Sequence, residues 1–216
     1  MSGTTELYID LAILVLSFFS GISRFRRLDI AGRILVLLLL AEFVNEVVAH
    51  AYAKKYLNNM RVYNIYSILE FALLSLYFNY SIDVFRRMKL GYYIVVVGLI
   101  FAVINYTLIQ QINTFNSYYL FFEGFTTITL SLISFYRLLM YNEDLKLSRY
   151  HHFWFTAVFL FFWSITFLSW GVFPLMFKNK EVIGQMISFI WIVNIITYGG
   201  VGIIFQLYPQ KQISHE

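Results

Sequence analysis

The sequence contains no cysteine, which excludes a disulfide framework, a thiolate metal site and a thiol nucleophile. Only two prolines and 11 glycines occur among its 216 residues, so there is little material for a linker between domains. Charged residues make up 13% of the chain, whereas a water-soluble domain carries about 25%. Hydrophobic residues make up 60% of it. These proportions favour one domain over residues 1–216, with the lipid bilayer as its solvent.

Long apolar runs divide the chain into segments of membrane length, since a helix of roughly 20 residues crosses about 30 Å of hydrocarbon. The first run lacks a basic leader and carries Asp10, so we expect a mature helix rather than a signal peptide. Short connections predict antiparallel neighbours in an all-α, polytopic bundle of seven transmembrane helices. The predicted spans are residues 7–23, 30–53, 61–82, 89–110, 113–140, 150–177 and 181–208.

The basic residues predict the orientation of this bundle. Of the 16 Lys and Arg residues, 11 fall on the side that holds loops one, three and five, and five fall on the other side. Because cytoplasmic loops are enriched in these residues, we expect the N-terminus outside and the C-terminus in the cytoplasm, with the chain in the inner (plasma) membrane of the cell. They lie in separate loops rather than in one stripe, which argues against nucleic-acid binding despite the net charge of +4. The predicted partner is the bilayer.

Polar and ionisable side chains within the apolar runs are the candidate functional residues. The second run places four of them three or four residues apart, which gives them one helix face. The third, fifth and seventh runs add others at similar depth. The predicted ligand-binding or cation-binding set is Glu42, Asn45, Glu46, His50, Tyr63, Tyr66, Glu70, Glu123 and Asn194.

The glutamates of this set are expected to face the bundle interior. A charged side chain at the centre of a membrane helix costs roughly 2.5 to 3.5 kcal/mol, so four facing lipid would cost on the order of 10 kcal/mol. Within their layer only His50 can become cationic. Three outcomes follow: protonated glutamates, a bound cation, or a water-filled cavity open to the outside. The alternative is that these groups only form interhelical hydrogen bonds, each worth about 0.6 kcal/mol.

A metal site and an enzyme are weaker hypotheses. Glu42, Glu46 and His50 are candidate ligands for a divalent cation, but no HExxH or comparable spacing is present. No Walker loop, GxSxG, kinase signature or Rossmann fingerprint occurs, so no catalytic residue is predicted. His151 and His152 open the sixth run, where we expect them to anchor the membrane interface among aromatic residues.

The seventh run has no lysine that could hold retinal, and the DRY and NPxxY motifs of seven-helix receptors are absent. The segment Tyr63 to Phe71, YNIYSILEF, with Glu42 to His50 before it, resembles uncharacterised seven-helix membrane proteins of Bacteroidota. The resemblance covers about two helices. Some of those proteins stand as sensor modules ahead of histidine kinases, so it implies a sensory or accessory role and a cytoplasmic or membrane signalling partner.

The leading hypothesis is an outward-opening acidic pocket that binds a cation, a proton or a small polar ligand and signals through a partner. Glu42 and Glu70 would carry charge at mid-membrane, Glu46 and His50 would form an outer pair, and Asn194 with Tyr66 would support them by hydrogen bonds. The alternatives are a small transporter or channel with a proton or cation relay, an operon accessory factor (for example in immunity) acting through homo-oligomerisation, and a Glu/His metal-dependent intramembrane hydrolase.

Overall fold

The computed structural model describes residues 3–141, 150–176 and 180–208. In these residues the chain forms eight α-helices and no strand, so the predicted all-α fold is confirmed for them. A π-helical turn, Asn105–Ile109, continues the fifth helix. The helices are α1 (Gly3–Arg24), α2 (Ile30–Tyr56), α3 (Met60–Ser81), α4 (Asp83–Met88), α5 (Leu90–Ile104), α6 (Ser117–Tyr141), α7 (His151–Met176) and α8 (Lys180–Leu207).

Each predicted span corresponds to one long helix, and α4 is an additional helix of six residues. Five regions of the described chain are long and apolar enough to cross a membrane: Thr5–Arg24, Ile30–Tyr56, Leu90–Ile109, His151–Trp170 and Glu181–Leu207. Polar side chains lower the mean hydropathy of α3 and α6, which are not among them. Five predicted positions lie outside the described residues: the span end Phe177, and the basic residues Lys146, Arg149, Lys178 and Lys211.

Six of the long helices form a closed ring. Following the contacts, α1 packs on α2, α2 on α3, α3 on α6, α6 on α7, α7 on α8, and α8 returns to α1. Helix α5 lies outside this ring and packs mainly against α3. A ring of six helices encloses a narrow interior that side chains from all six can reach.

Helix α5 approaches α3 closely because two of its glycines face that helix. A Cβ on Gly91 would lie 2.5 Å from the carbonyl oxygen of Ser75, and one on Gly98 would lie 2.1 Å from the Phe71 ring. The backbone N–H of Gly91 donates to Asn79 Oδ1 at 3.1 Å. Small residues at such crossings allow two helix backbones to pack against each other. They fix α5 on α3 rather than inside the ring.

The two ends of the bundle differ in character. The end where α2 begins, here called the Asp29 end, holds the α1–α2 turn, α4 and the start of α7. The end where α2 meets α3, here called the Asn59 end, holds residues 57–59 and 105–116. Large buried apolar side chains fill the interior toward the Asp29 end, including Leu35, Leu39, Phe78, Phe155 and Phe205. The buried acidic groups therefore lie between this core and the Asn59 end.

Candidate ligand-binding site

An open cavity of about 220 Å³ lies between α1, α2 and the start of α3 at the Asn59 end. We call it the acidic recess, because two carboxyl groups from different helices face it. Glu46, His50 and Ala53 reach it from one face of α2, since their spacing of four and three residues is helical. Its lining residues are Leu7, Asp10, Glu46, His50, Ala53, Asn59 and Tyr63.

The two acids of the recess have few neutralising partners. Asp10 is 8% exposed, and its Oδ1 atom has no hydrogen-bond partner in the described part of the chain. The Tyr63 hydroxyl donates to Glu46 Oε2 at 3.3 Å. Among the lining residues, His50 is the one that can become cationic. A buried charge without a partner is costly, so this arrangement favours a proton or a cation in the recess.

Glu42 lies one turn of α2 deeper than Glu46. Glu42 is 6% exposed, and the Tyr66 and Tyr198 hydroxyls lie near its carboxyl group. Its Oε2 atom has no partner among the described residues. The charge of Glu42 would repel the charges of Asp10 and Glu46. The acids of the recess therefore interact electrostatically with an acid in the interior of the ring.

Two further acids lie beyond Glu42. Glu123 of α6 is completely buried, and neither of its carboxyl oxygens has a partner in the described chain. Glu70 of α3 is half-buried and lines a cavity of about 20 Å³ with Trp163 and Thr197. Glu42, Glu70 and Glu123 are close enough for their charges to repel one another. These three glutamates, which we call the inner acids, therefore extend from the recess into the ring.

The structure divides the predicted site residues into groups. Glu46, His50 and Tyr63 line the recess, while Glu42, Tyr66, Glu70 and Glu123 lie deeper. Asn45 is buried, neither of its side-chain polar atoms has a hydrogen-bond partner among the residues that the structure describes, and it lines neither cavity. Asn194 is half-buried and also lines neither cavity. Its support of Glu42 stays a prediction, because the α8 hydroxyl near Glu42 belongs to Tyr198, one turn further along.

Asp10 and Tyr198 are site residues that the sequence reasoning did not select. Asp10 carries the same signal as Glu42, an acid inside an apolar run, and that signal could have identified it. Tyr198 has no distinguishing signal, because the chain contains 17 tyrosines and only the packing of α8 within the ring places this one.

The predicted divalent-cation site receives no geometric support. In the described part of the chain, no group of three or more His, Asp or Glu side chains is placed to hold a metal ion. Glu46 and His50 line the recess, whereas Glu42 lies deeper beside Tyr66 and Tyr198. A divalent ion on Glu42, Glu46 and His50 stays a prediction.

A second polar contact joins helices at the Asp29 end. Asp29 Oδ2 lies 2.8 Å from His152 Nε2, and Asp29 Oδ1 caps α2 by accepting from the Gly32 N–H at 2.8 Å. Burial raises the pKa of Asp29, but the hydrogen bond and charge of His152, the hydrogen bond from the Gly32 N–H and the charge of Arg33 together outweigh it, so this pKa lies below its usual value. His151 stacks on Tyr208, with ring centroids 4.1 Å apart. Both histidines are buried against neighbouring side chains, and their place at a membrane interface stays a prediction.

The fold and site define an all-helical protein with several helices of membrane length and an acidic interior. No protein-family model, curated protein or solved structure matches the chain. The resemblance to membrane proteins of Bacteroidota therefore stays a prediction.

Proposed function

We propose that the chain crosses the plasma (inner) membrane seven times, through all helices except α4. Helices α3 and α6 contain 22 and 25 residues. At 1.5 Å per residue they extend about 33 and 38 Å, enough for a hydrocarbon core of about 30 Å. Both lie in the ring beside helices that are long and apolar enough to cross a membrane, so their buried polar faces need not contact lipid.

We further propose that the acidic recess faces the outside of the cell. The Asp29 end carries the larger number of basic residues in the described chain, at positions 24, 26, 27, 33, 86, 87, 89 and 137. The Asn59 end carries Lys54, Lys55, Arg61 and Lys180. The enrichment of Lys and Arg in cytoplasmic loops favours a cytoplasmic Asp29 end.

The function that the geometry supports best is that of a membrane receptor for a small cationic ligand or a proton. The observation that carries this proposal is the pairing of Asp10 and Glu46 in one recess; among the described residues, one Asp10 oxygen has no partner and no Lys or Arg lines the recess. Two carboxylates in one site of low dielectric repel each other, and a shared proton or cation removes that repulsion.

Signal transfer would proceed along α1 and α2. A ligand held between Asp10 and Glu46 fixes the spacing of these two helices at the Asn59 end. The same helices meet again at the α1–α2 turn, where Asp29 contacts His152 of α7. Because α2 is one continuous helix of 27 residues, a displacement at the recess changes the position of this turn. A cytoplasmic or membrane partner would detect that change.

One-sided binding is favoured by the apolar core below the acids. Leu35, Phe155 and Phe205 belong to the cluster that fills the ring toward the Asp29 end. A ligand that enters the recess from outside would therefore leave by the same route.

Cation-dependent thermal stability tests the proposal. Purified protein in nanodiscs would be heated with NaCl, MgCl2 or methylammonium chloride at equal ionic strength, and unfolding followed by tryptophan fluorescence. At least one cation should raise the midpoint temperature of the wild type but not of an Asp10→Asn, Glu46→Gln double variant. The control is Asp83→Asn, an exposed acid at the Asp29 end, which should respond like the wild type. Equal responses of all three proteins would contradict cation binding in the recess.

Hydrogen exchange tests the proposed relay. The saturating cation should change the exchange rates of backbone amides in residues 25–29 of the wild type. Unchanged rates in this turn, measured while the cation still stabilises the protein, would exclude signal transfer through α1 and α2.

A second candidate function is a proton or cation transporter. It is favoured by Glu123, which lies beyond the recess with both carboxyl oxygens unpartnered and completely buried. Intramembrane acids in such positions often belong to proton relays. Proteoliposomes with an imposed pH gradient would show flux in the wild type and not in Glu123→Gln if this function applies. Absence of flux in the wild type would exclude it.

A further inference from the structure

The lining of the acidic recess combines charge with apolar surface. Asp10 and Glu46 provide two carboxyl groups from opposite helices. Leu7 and Ala53 provide aliphatic surface, and Tyr63 provides an aromatic ring. A ligand that uses the whole lining therefore has both a positive group and a short carbon chain.

A bare inorganic cation uses this lining poorly. Calcium takes six to eight oxygen ligands, and magnesium requires an octahedral set at about 2.0 to 2.1 Å. The recess offers carboxyl groups from two residues, and no group of three or more His, Asp or Glu side chains in the described chain is placed to hold a metal. Its volume of about 220 Å³ is far larger than one ion and corresponds to roughly seven water molecules at about 30 Å³ each.

A primary ammonium group matches the polar side of the recess. Its three N–H donors can form charge-assisted hydrogen bonds with the carboxyl groups of Asp10 and Glu46, since both residues line the recess. Asp10 is more than nine-tenths buried, and its Oδ1 atom has no hydrogen-bond partner among the described residues, so this acid lacks a neutralising neighbour. The Tyr63 ring can attract the cation through its π-face.

We propose that the ligand of the acidic recess is a small alkylammonium ion, held by Asp10 and Glu46 with its carbon chain against Leu7 and Ala53. This inference rests on the proposed function, namely that the recess binds a cation. It adds the chemical class of that cation.

Isothermal titration calorimetry on the full-length protein in nanodiscs tests the inference, with four probes: propylammonium, tetramethylammonium, Na⁺ and 1-propanol. Propylammonium should bind at least tenfold more tightly than Na⁺ or tetramethylammonium, because Na⁺ has no alkyl chain and tetramethylammonium has no N–H donor. The neutral 1-propanol should show no binding.

Variants locate the site. Asp10→Asn and Glu46→Gln should each weaken propylammonium binding at least tenfold, whereas Asp83→Asn should leave it unchanged. Ala53→Leu fills the recess while keeping both acids, so it should weaken propylammonium binding and leave the global fold, monitored by circular dichroism, unchanged. This variant separates loss of the site from loss of folding.

The outcomes distinguish the inference from the proposed function. Na⁺ binding that depends on Asp10 and equals or exceeds propylammonium binding would overturn the ammonium class and leave a cation receptor. Tetramethylammonium as tight as propylammonium would overturn recognition through N–H donors. Absence of binding by every cation would overturn both the inference and the proposed function.

Discussion

Replacing Glu123 by methionine should stabilise the protein. Glu123 is completely buried, and neither carboxyl oxygen has a partner in the described chain. A buried polar group without a hydrogen bond costs about 1 to 3 kcal/mol. Methionine has similar length and flexible geometry, and it carries no group that needs a partner. We therefore expect Glu123→Met to raise the free energy of unfolding by about 1 to 3 kcal/mol, because the similar size of the two side chains requires little repacking of their neighbours.

The matched variant is Glu123→Gln, which keeps the shape and the polarity of the side chain. It should leave stability close to that of the wild type, because its amide meets the same environment. Unfolding in dodecyl maltoside micelles, followed by tryptophan fluorescence against a denaturant, measures all three proteins. If Glu123→Met instead lowers stability by more than about 1 kcal/mol, the carboxyl group makes a hydrogen bond of ordinary strength. The inner acids would then be structural, and the reasoning that they are retained for function would be refuted.

Three further predictions concern packing, charge and hydrogen bonding. Gly98→Ala places a methyl group 2.1 Å from the Phe71 ring, so thermal denaturation should show a free energy of unfolding lower by about 1 to 3 kcal/mol. Gly184→Ala, whose added methyl group has no atom within 4 Å, should leave this free energy unchanged. Asp29 has a lowered folded-state pKa, so its stabilisation is present above the unfolded pKa of about 3.9 and is lost as pH falls through the folded pKa. At pH 7 the midpoint temperature of the wild type should therefore exceed that of Asp29→Asn, by a modest amount because the Asp29 side chain is 47% exposed. This difference in midpoint temperature should narrow below about pH 4. A difference that stays constant with pH would contradict the prediction. Tyr198→Phe removes a hydroxyl near Glu42, so it should weaken cation binding in calorimetry several-fold while Tyr93→Phe, which is exposed on α5, should not.

The helices could be predicted from the sequence because the bilayer sets one required length for every apolar run. The predicted spans differ from the helices mainly at their ends and at α4, whose six residues are too short to give an apolar run. The position of α5 outside the ring was not predictable, since it depends on the approach of Gly91 and Gly98 to α3. That approach is a tertiary contact without a signature in hydropathy.

The acidic site was predictable in part for a similar reason. Glu42 and Glu46 stand out as charges within apolar runs, and the cost of exposing them to lipid already directs them inward. Tyr198 does not stand out, and Asp29 finds its partner His152 across 123 positions of the chain. A histidine at the start of a helix has the same local sequence pattern whether its side chain faces lipid headgroups or an aspartate from another part of the chain. Only packing distinguishes the two.

The accessibility of the recess tests the central claim most directly, and the absence of cysteine from the wild type makes a single-cysteine label specific. A membrane-impermeant maleimide should label Ala53→Cys in intact cells, and propylammonium or another bound cation should slow this labelling unless Asp10 and Glu46 are neutralised. Met88→Cys, exposed at the Asp29 end, should react only after lysis. Labelling of Ala53→Cys that requires lysis, or that cations leave unchanged, would contradict an outward-facing cation site.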